Sequence, residues 1–155
     1  MFTLNLPPAD IKMVSMDGKA LIQDIVRKRW LVLTPEEYVR QNFVSYLINH
    51  LNYPGSLISI ERGLKVNKLN SRSDIVVYNN EKLPWILIEC KAPQVKITQA
   101  TLEQASKYNL KLKAEYLCVT NGLDHSFYRI NFASLSYTRL ENLPFFIAIN
   151  EQGEE

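Results

Sequence analysis

Two short runs, Ile75-Val76-Val77-Tyr78 and Trp85-Ile86-Leu87-Ile88, constrain this chain more than any other stretch. Both are built from branched and aromatic residues and they flank Asn79-Asn80-Glu81-Lys82, so they read as a strand, a turn and a strand. Adjacent as well as alternate positions are apolar, which suits strands covered on two faces. They are therefore central strands, and the remaining sequence must supply layers on both sides of them.

Three charges stand out against these runs. Asp74 opens the first, and Glu89 and Lys91 close the second. A strand has a period of two, so Glu89 and Lys91 share a face while Cys90 points the other way. If the two strands are antiparallel neighbours, Asp74 comes beside Glu89. Carboxylates at a sheet interior are expensive unless neutralised, and two of them with a lysine suggest a bound cation. Hard oxygen ligands that leave most of the shell to water and substrate suit Mg²⁺ or Mn²⁺. The same trio also fits solvated charge at strand ends, so the flanking sequence has to decide between the two readings.

The chain has 155 residues, enough for one domain with an ordinary core. Hydrophobic residues at 46% and charged residues at 22% describe a soluble globular protein. A net charge of +2 is too small to argue for nucleic acid by bulk electrostatics, so any such argument rests on local patches. Cys90 and Cys118 sit inside apolar segments and read as buried free thiols, which predicts a cytoplasmic protein. No apolar stretch approaches membrane-spanning length, and Met1-Phe2-Thr3-Leu4 lacks a basic leader.

Residues 1–33 read as an N-terminal extension packed on the core, irregular around Pro7-Pro8, with a turn at Asp17-Gly18. Arg27, Lys28 and Arg29 would touch phosphate or form a solvated face. At Thr34-Pro35-Glu36-Glu37 a helix begins, with Thr34 as N-cap, Pro35 at the first position and Glu37 as capping-box partner. It should run to about Leu51 with Val39, Phe43, Tyr46, Leu47 and His50 or Leu51 as its apolar stripe. Glu37 and Arg40 lie on another face, either pointing at one site or only capping and balancing the helix. Ile58–Val66 reads as a strand, and Arg72 in the connection after it would meet a phosphate or flank an edge.

Beyond Lys91 a second helix is marked by Thr98 as N-cap and by Ile97 and Leu102 as a hydrophobic staple. It should last to about Lys113 and bury Leu102, Ala105 and Leu112. Gln104 and Tyr108 share a face with Thr101 and Lys111, a face that either looks back at Glu89 and Lys91 or is ordinary surface. Glu115–Thr120 is a further strand, and strand, helix, strand in succession predicts a parallel pair with a right-handed crossover. Asn121-Gly122 then turns the chain into His125–Ile130, a hairpin partner or edge strand. His50 and His125 lack metal-ligand company. Leu140, Leu143, Phe145 and Phe146 are expected to pack back on the body, and residues 151–155 to form a disordered tail. The fold class is α/β, a mixed central sheet of about four to five strands flanked by helices, with residues 34–150 as its body.

In one order the chain carries Thr34-Pro35-Glu36-Glu37-x-x-Arg40-Gln41, Arg72-Ser73-Asp74-Ile75-Val76-Val77, Ile88-Glu89-Cys90-Lys91-Ala92-Pro93, Gln104-x-x-x-Tyr108 and Val119-Thr120-Asn121-Gly122. This succession resembles the N-terminal nuclease domain of type I restriction enzyme R subunits, within the PD-(D/E)XK nuclease superfamily, and small stand-alone proteins of that kind in particular. The resemblance spans roughly Asp24 to Tyr128. It implies a restriction-endonuclease-like core, Asp74 and Glu89 as ligands of Mg²⁺ or Mn²⁺, Lys91 orienting or activating a water, and Glu37 as an additional acid. Gln104 and Tyr108 would support the site and contact the DNA backbone. Ser73 stands where the superfamily's name motif has proline, and the chain has no Gly-rich phosphate loop of an ATP-driven motor.

The function expected is metal-dependent hydrolysis of DNA phosphodiester bonds, with Arg40, Arg72 and Lys111 holding the flanking backbone. A single site nicks one strand, so cutting both would call for a homodimer or a partner protein. Two other readings stay open: a DNA-binding or scaffold module that keeps the nuclease fold without cutting, and a hydrolase of RNA or nucleotides.

Overall fold

The structure, a computed structural model, describes residues 3–62 and 73–148, with the backbone alone at Glu61, Arg62, Ser73 and Asp74. It opens with three strands, β1 (Met13–Met16), β2 (Lys19–Gln23) and β3 (Trp30–Val32), which form a separate antiparallel sheet. Asp17 and Gly18, both in left-handed backbone at φ +53° and +76°, make the tight turn between β1 and β2 that their sequence predicts. The strands themselves go beyond the reading of this extension, irregular around Pro7-Pro8 with a turn at Asp17-Gly18, which assigns it none. They are short and largely exposed, with Ile22 the fully buried apolar residue among them, so little in their composition announces them.

Helix α1 (Pro35–Asn49) follows, capped as expected by Thr34, whose hydroxyl accepts from the Glu37 N–H at 3.0 Å. The rest of the body is β4 (Ile58–Arg62), β5 (Ser73–Tyr78), β6 (Pro84–Cys90), α2 (Gln99–Leu112), β7 (Tyr116–Thr120), β8 (His125–Asn131) and β9 (Ser136–Leu140). These six strands form one sheet in that order, antiparallel throughout except for the parallel pair β6–β7 that α2 connects. The fold is mixed α/β, in keeping with a nuclease-like α/β core, but the sheet has six strands rather than four or five. β8 is an interior strand, and the edge beyond it is β9, where Ser136, Tyr137, Thr138 and Arg139 are exposed and Leu140 packs on the core as expected. The part of the expected Ile58–Val66 strand beyond Arg62, the connection through Arg72 and the tail at 151–155 lie outside the described residues.

The pleat divides the core in two. Ile75, Val77, Ile86, Ile88, Cys90 and Cys118 pack with Val39, Phe43, Val44 and Leu47 of α1. Val76, Leu87, Leu117 and Val119 pack with Ala105 of α2, and Leu102, Tyr108 and Leu112 lean on them. Most of these side chains are fully buried, each contributing on the order of 1.5–3 kcal/mol of transfer free energy. Both cysteines are free and buried, and burial pushes the Cys118 thiol well above its ordinary value. Among the described residues no helix is long and apolar enough to cross a membrane.

The foot of the sheet is closed by the C-terminal segment. Trp85 Nε1 donates to Tyr53 Oη (3.1 Å), Tyr53 Oη donates to the Pro144 carbonyl (2.8 Å), and the Phe146 N–H donates to the Leu51 carbonyl (2.8 Å). Burial pushes the Tyr53 phenol up to about 12, against the opposing pull of the Trp85 hydrogen bond. Leu143 is buried here and Phe146 is packed, but Phe145 is exposed rather than packed back. At the opposite end Gly122, in left-handed backbone at φ +86°, lies so near α1 that a Cβ there would come within 3.1 Å of Val39 Cγ2. α1 therefore starts at the rim where β6 and β7 end, and runs down to the foot.

The connection between β2 and β3 is organised by one buried acid. Asp24 Oδ1 accepts from the Val26 and Arg27 N–H groups (2.9 and 2.8 Å), and its Oδ2 accepts from Arg27 Nε (2.8 Å). Burial alone would raise this carboxyl, but the hydrogen bonds and charge of Arg27, with the Val26 N–H, outweigh it and hold it below the ordinary value. Arg27 is thus committed within the fold, while Lys28 and Arg29 are exposed. Because the folded value lies below the unfolded one, the stabilisation is complete above the ordinary carboxylate range and is lost as pH falls through the folded value. Asp24→Asn should lower stability at neutral pH by about 1–3 kcal/mol in urea unfolding. The gap to the wild type should close as the pH is taken from about 6 towards about 2.

Candidate functional site

The register of β5 on β6 sets Asp74 directly across from Glu89, and that of β4 on β5 sets Glu61 directly across from Asp74. Residues paired in this way have Cα atoms ~4.5–5.5 Å apart and belong to one face of the sheet. Three acidic positions thus form a row across β4, β5 and β6. Glu61 was not singled out by the sequence, because pairing register is a long-range property that local composition does not carry. Alternation with Leu87, which belongs to the α2 layer, assigns Glu89 to the face that α2 covers.

Glu89 is only 2% exposed. Lys91 Nζ lies 3.3 Å from Glu89 Oε1 with about a quarter of its side chain exposed, so the ammonium bridges a buried carboxylate and solvent. The Lys91 N–H donates to the Thr120 carbonyl at 2.8 Å, which extends the β6–β7 ladder one residue beyond the strand and fixes the base of the side chain. The structure therefore brings Glu89 and Lys91 together and sets Asp74 opposite them.

Glu37 approaches the rim from the other face. Its carboxylate does not complete a capping box with Thr34. Arg40 Nε donates to Glu37 Oε2 at 2.7 Å, Arg40 Nη2 makes a second bond to Oε1, and Gln41 Nε2 donates to Oε2 at 3.0 Å. Helical spacings of three and four put both partners within reach, whereas the cap N–H competes poorly with a guanidinium for a buried anion. Gln41 in turn accepts from the Ile25 N–H at 2.9 Å, tying the N-terminal sheet to α1. Arg40, expected to hold a flanking DNA backbone, is 1% exposed and in this arrangement is engaged by Glu37.

Of the α2 residues, Gln104 and Lys111 are exposed and Tyr108 is half-buried against the sheet. α2 begins at the end of the sheet where β6 finishes. At 1.5 Å per residue, Gln104 lies roughly 8 Å and Lys111 roughly 18 Å along the helix from its start, so Lys111 belongs to the far end. Arg72 lies outside the described residues. His125 is occupied, its Nδ1 bonded to Thr120 Oγ1 (2.7 Å) and its Nε2 to the Asn5 carbonyl (2.8 Å). His50 is exposed at the end of α1, stacked on Tyr46.

Among the described residues no three or more His, Cys, Asp or Glu side chains gather as a metal cage. The donor chemistry at the rim is carboxylate oxygen with an ammonium beside it, a set that hard divalent ions accept when water and substrate complete the shell. A hollow of about 850 Å³ lies elsewhere, at the foot, lined in part by Trp85, Leu112, Glu115 and Arg129. Glu115 and Arg129 pair there at 3.0 Å in a largely solvated setting, so it offers no buried acid of the kind the rim has.

Removing the charge of Glu37 leaves Arg40 buried without its carboxylate. Glu37→Gln should cost about 3–5 kcal/mol in chemical denaturation, and adding Arg40→Met should recover a large part of it. A single-variant loss below about 1 kcal/mol would show that the pair does not hold the helix start.

Residues 35–144, from the first residue of α1 to just past β9, match the family described as the type I restriction enzyme R protein N terminus. No curated protein and no solved structure matches the chain. The matched span contains the paired acids, Lys91, the Glu37–Arg40 pair and both helices. The chain belongs to the type I restriction enzyme R protein N-terminus family.

Proposed function

We propose that the protein is a divalent-metal-dependent nuclease that hydrolyses DNA phosphodiester bonds at the rim of its sheet. The observation that carries this reading is Glu89, nearly sealed from water, ion-paired to Lys91 and set directly across from Asp74. A protein has little reason to gather charge at the buried end of a central strand except to use it. Asp74 and Glu89 would hold Mg²⁺ or Mn²⁺, and such an ion, when bound, supplies a Lewis acid for the phosphate and makes water more acidic. Lys91 would position the attacking water and offset negative charge developing on the phosphoryl oxygens. Gln104 and Tyr108, on the helix that covers the Glu89 face, would steady the site and touch the flanking backbone. Glu37, held by Arg40 and Gln41, would add negative charge from the opposite face.

The burial of Glu89 and its engagement with Lys91 also suit a second reading, a module that binds DNA in a closed form and does not cut. Incubating supercoiled plasmid and single-stranded DNA with Mg²⁺ or Mn²⁺ separates the two. The wild type should cleave, and Asp74→Ala, Glu89→Gln and Lys91→Ala should each lose on the order of a hundredfold or more in rate. Equal cleavage by all four proteins would expose a contaminant and end the nuclease reading. Salt-sensitive binding by the wild type without cleavage would favour the module. Calorimetric titration with Mn²⁺ should show binding in roughly the micromolar to millimolar range that Glu89→Gln abolishes.

A further inference from the structure

α2 rests on β6 and β7, while β8 and β9 continue the same face of the sheet past its flank. Leu117, Tyr128 and Arg139 are paired across β7, β8 and β9, and Ile130 is paired with Tyr137. Leu117, Ile130 and Tyr128 all belong to the α2 layer, so Tyr128, Tyr137 and Arg139 stand on that face, the face of Glu89. The rings of Tyr128 and Tyr137 meet edge to face at 6.5 Å, and the Arg139 guanidinium sits 5.9 Å over the Tyr128 ring. Tyr137 is 44% exposed. Between it and α2 runs a groove of about 510 Å³, walled by Leu102, Glu103, Ser106, Lys107 and Leu110.

This is an aromatic floor with a guanidinium beside it and an amphipathic wall. Neighbouring strands are ~4.8 Å apart and residues rise ~3.4 Å, so Tyr128 lies roughly 12 Å and Arg139 roughly 16 Å from Glu89 across the sheet. A few nucleotides of extended strand span that distance. Within a duplex both faces of a base are covered by its neighbours, and away from the ends an unpaired base alone can lay a face on a tyrosine. The protein's small net charge gives little general attraction for a polyanion, which leaves local stacking and Arg139 to supply the affinity. We propose that Tyr137 and Arg139, with Tyr128 beside them, form a stacking platform that holds unpaired DNA running to or from the rim. The inference deepens the nuclease reading and rests on it for the identity of the polymer.

The test uses the full chain in EDTA, so that binding is read without cleavage. The anisotropy of a short labelled oligothymidylate is compared with that of a blunt duplex. Tyr137→Ala should weaken binding of the single strand by about five- to a hundredfold, while Tyr137→Phe and Tyr137→Trp, which keep the ring face, should stay within about twofold. Arg139→Ala should weaken it too and lower the salt dependence by about one phosphate contact. Both alanine variants should bind duplex as the wild type does. The platform is overturned if the wild type ignores the oligothymidylate, if Tyr137→Ala binds it unchanged, or if single strand and duplex are lost together. Tighter binding of oligouridylate would overturn the assignment to DNA. If Glu89→Gln stops plasmid cleavage while Tyr137→Ala binds normally, the platform fails and the nuclease reading stands. If Tyr137→Ala loses binding but the wild type never cuts, the reverse holds.

Discussion

A carboxylate at the end of a central strand, 2% exposed, is the constraint from which the arrangement of the rim follows. Removing such a group from water costs several kcal/mol unless charge or hydrogen bonds replace the lost hydration. Lys91 meets part of that cost, and it can do so only because two residues along a strand return to the same face. The strand itself cannot move: β5 and β7 flank β6, and Ile86, Leu87 and Ile88 are sealed on both sides. Close packing therefore converts the position of Glu89 into a fixed coordinate of the fold. A metal site of the kind proposed would require such rigidity of its acids, since a displacement of about 1 Å can cost a hundredfold in rate.

The opposite face solves the same problem differently. Glu37 is also nearly buried, and its charge is met by Arg40 and Gln41 from its own helix. Gln41 then passes the connection to Ile25 and so to the turn built on Asp24. The N-terminal sheet is thereby coupled to the start of α1 through polar contacts, and a disturbance in that turn should be felt at the rim rather than only locally. A buried pair of this kind is weak grounds for stability as such, because well-packed apolar groups could do as well. Its use is to fix the direction in which the helix enters the core.

What could be read in advance divides along the range of the interactions involved. The β5 and β6 runs, the Thr34 and Thr98 caps and the parallel β6–β7 pair announce themselves through contiguous residues, and the antiparallel register of Asp74 on Glu89 follows from a short turn. The acidic row through Glu61 does not, because the sequence between β4 and β5 offers no tight-turn signal to fix how the two strands align. β9 escapes because an edge strand with solvent on it needs no apolar alternation, and β1–β3 escape for the same reason. The depth of Arg40, enclosed at 1% exposure beside Glu37, is likewise a tertiary property that its place in the helix pattern does not announce. Phe145 errs the other way: its neighbours Leu143 and Phe146 are packed, and a single aromatic left outside is common on protein surfaces.

The parallel pair carries one more consequence. Because β6 and β7 run in the same direction, the helix between them must return antiparallel to both, and its N-terminus falls at the end where β6 finishes. α1 is placed with its own N-terminus at that end, as the approach of Gly122 to Val39 requires. Two helices thus direct their partially positive ends towards the end of the sheet that holds Glu89 and the acidic row, each capped by a threonine rather than by a competing charge. In α1 that end is partly offset by Glu36 and Glu37, while the first turn of α2 carries no acid. The favourable field at the rim therefore comes more from α2, the helix on the Glu89 face, than from α1. Topology, before any single side chain, makes this end of the sheet the place where negative charge is least costly to keep.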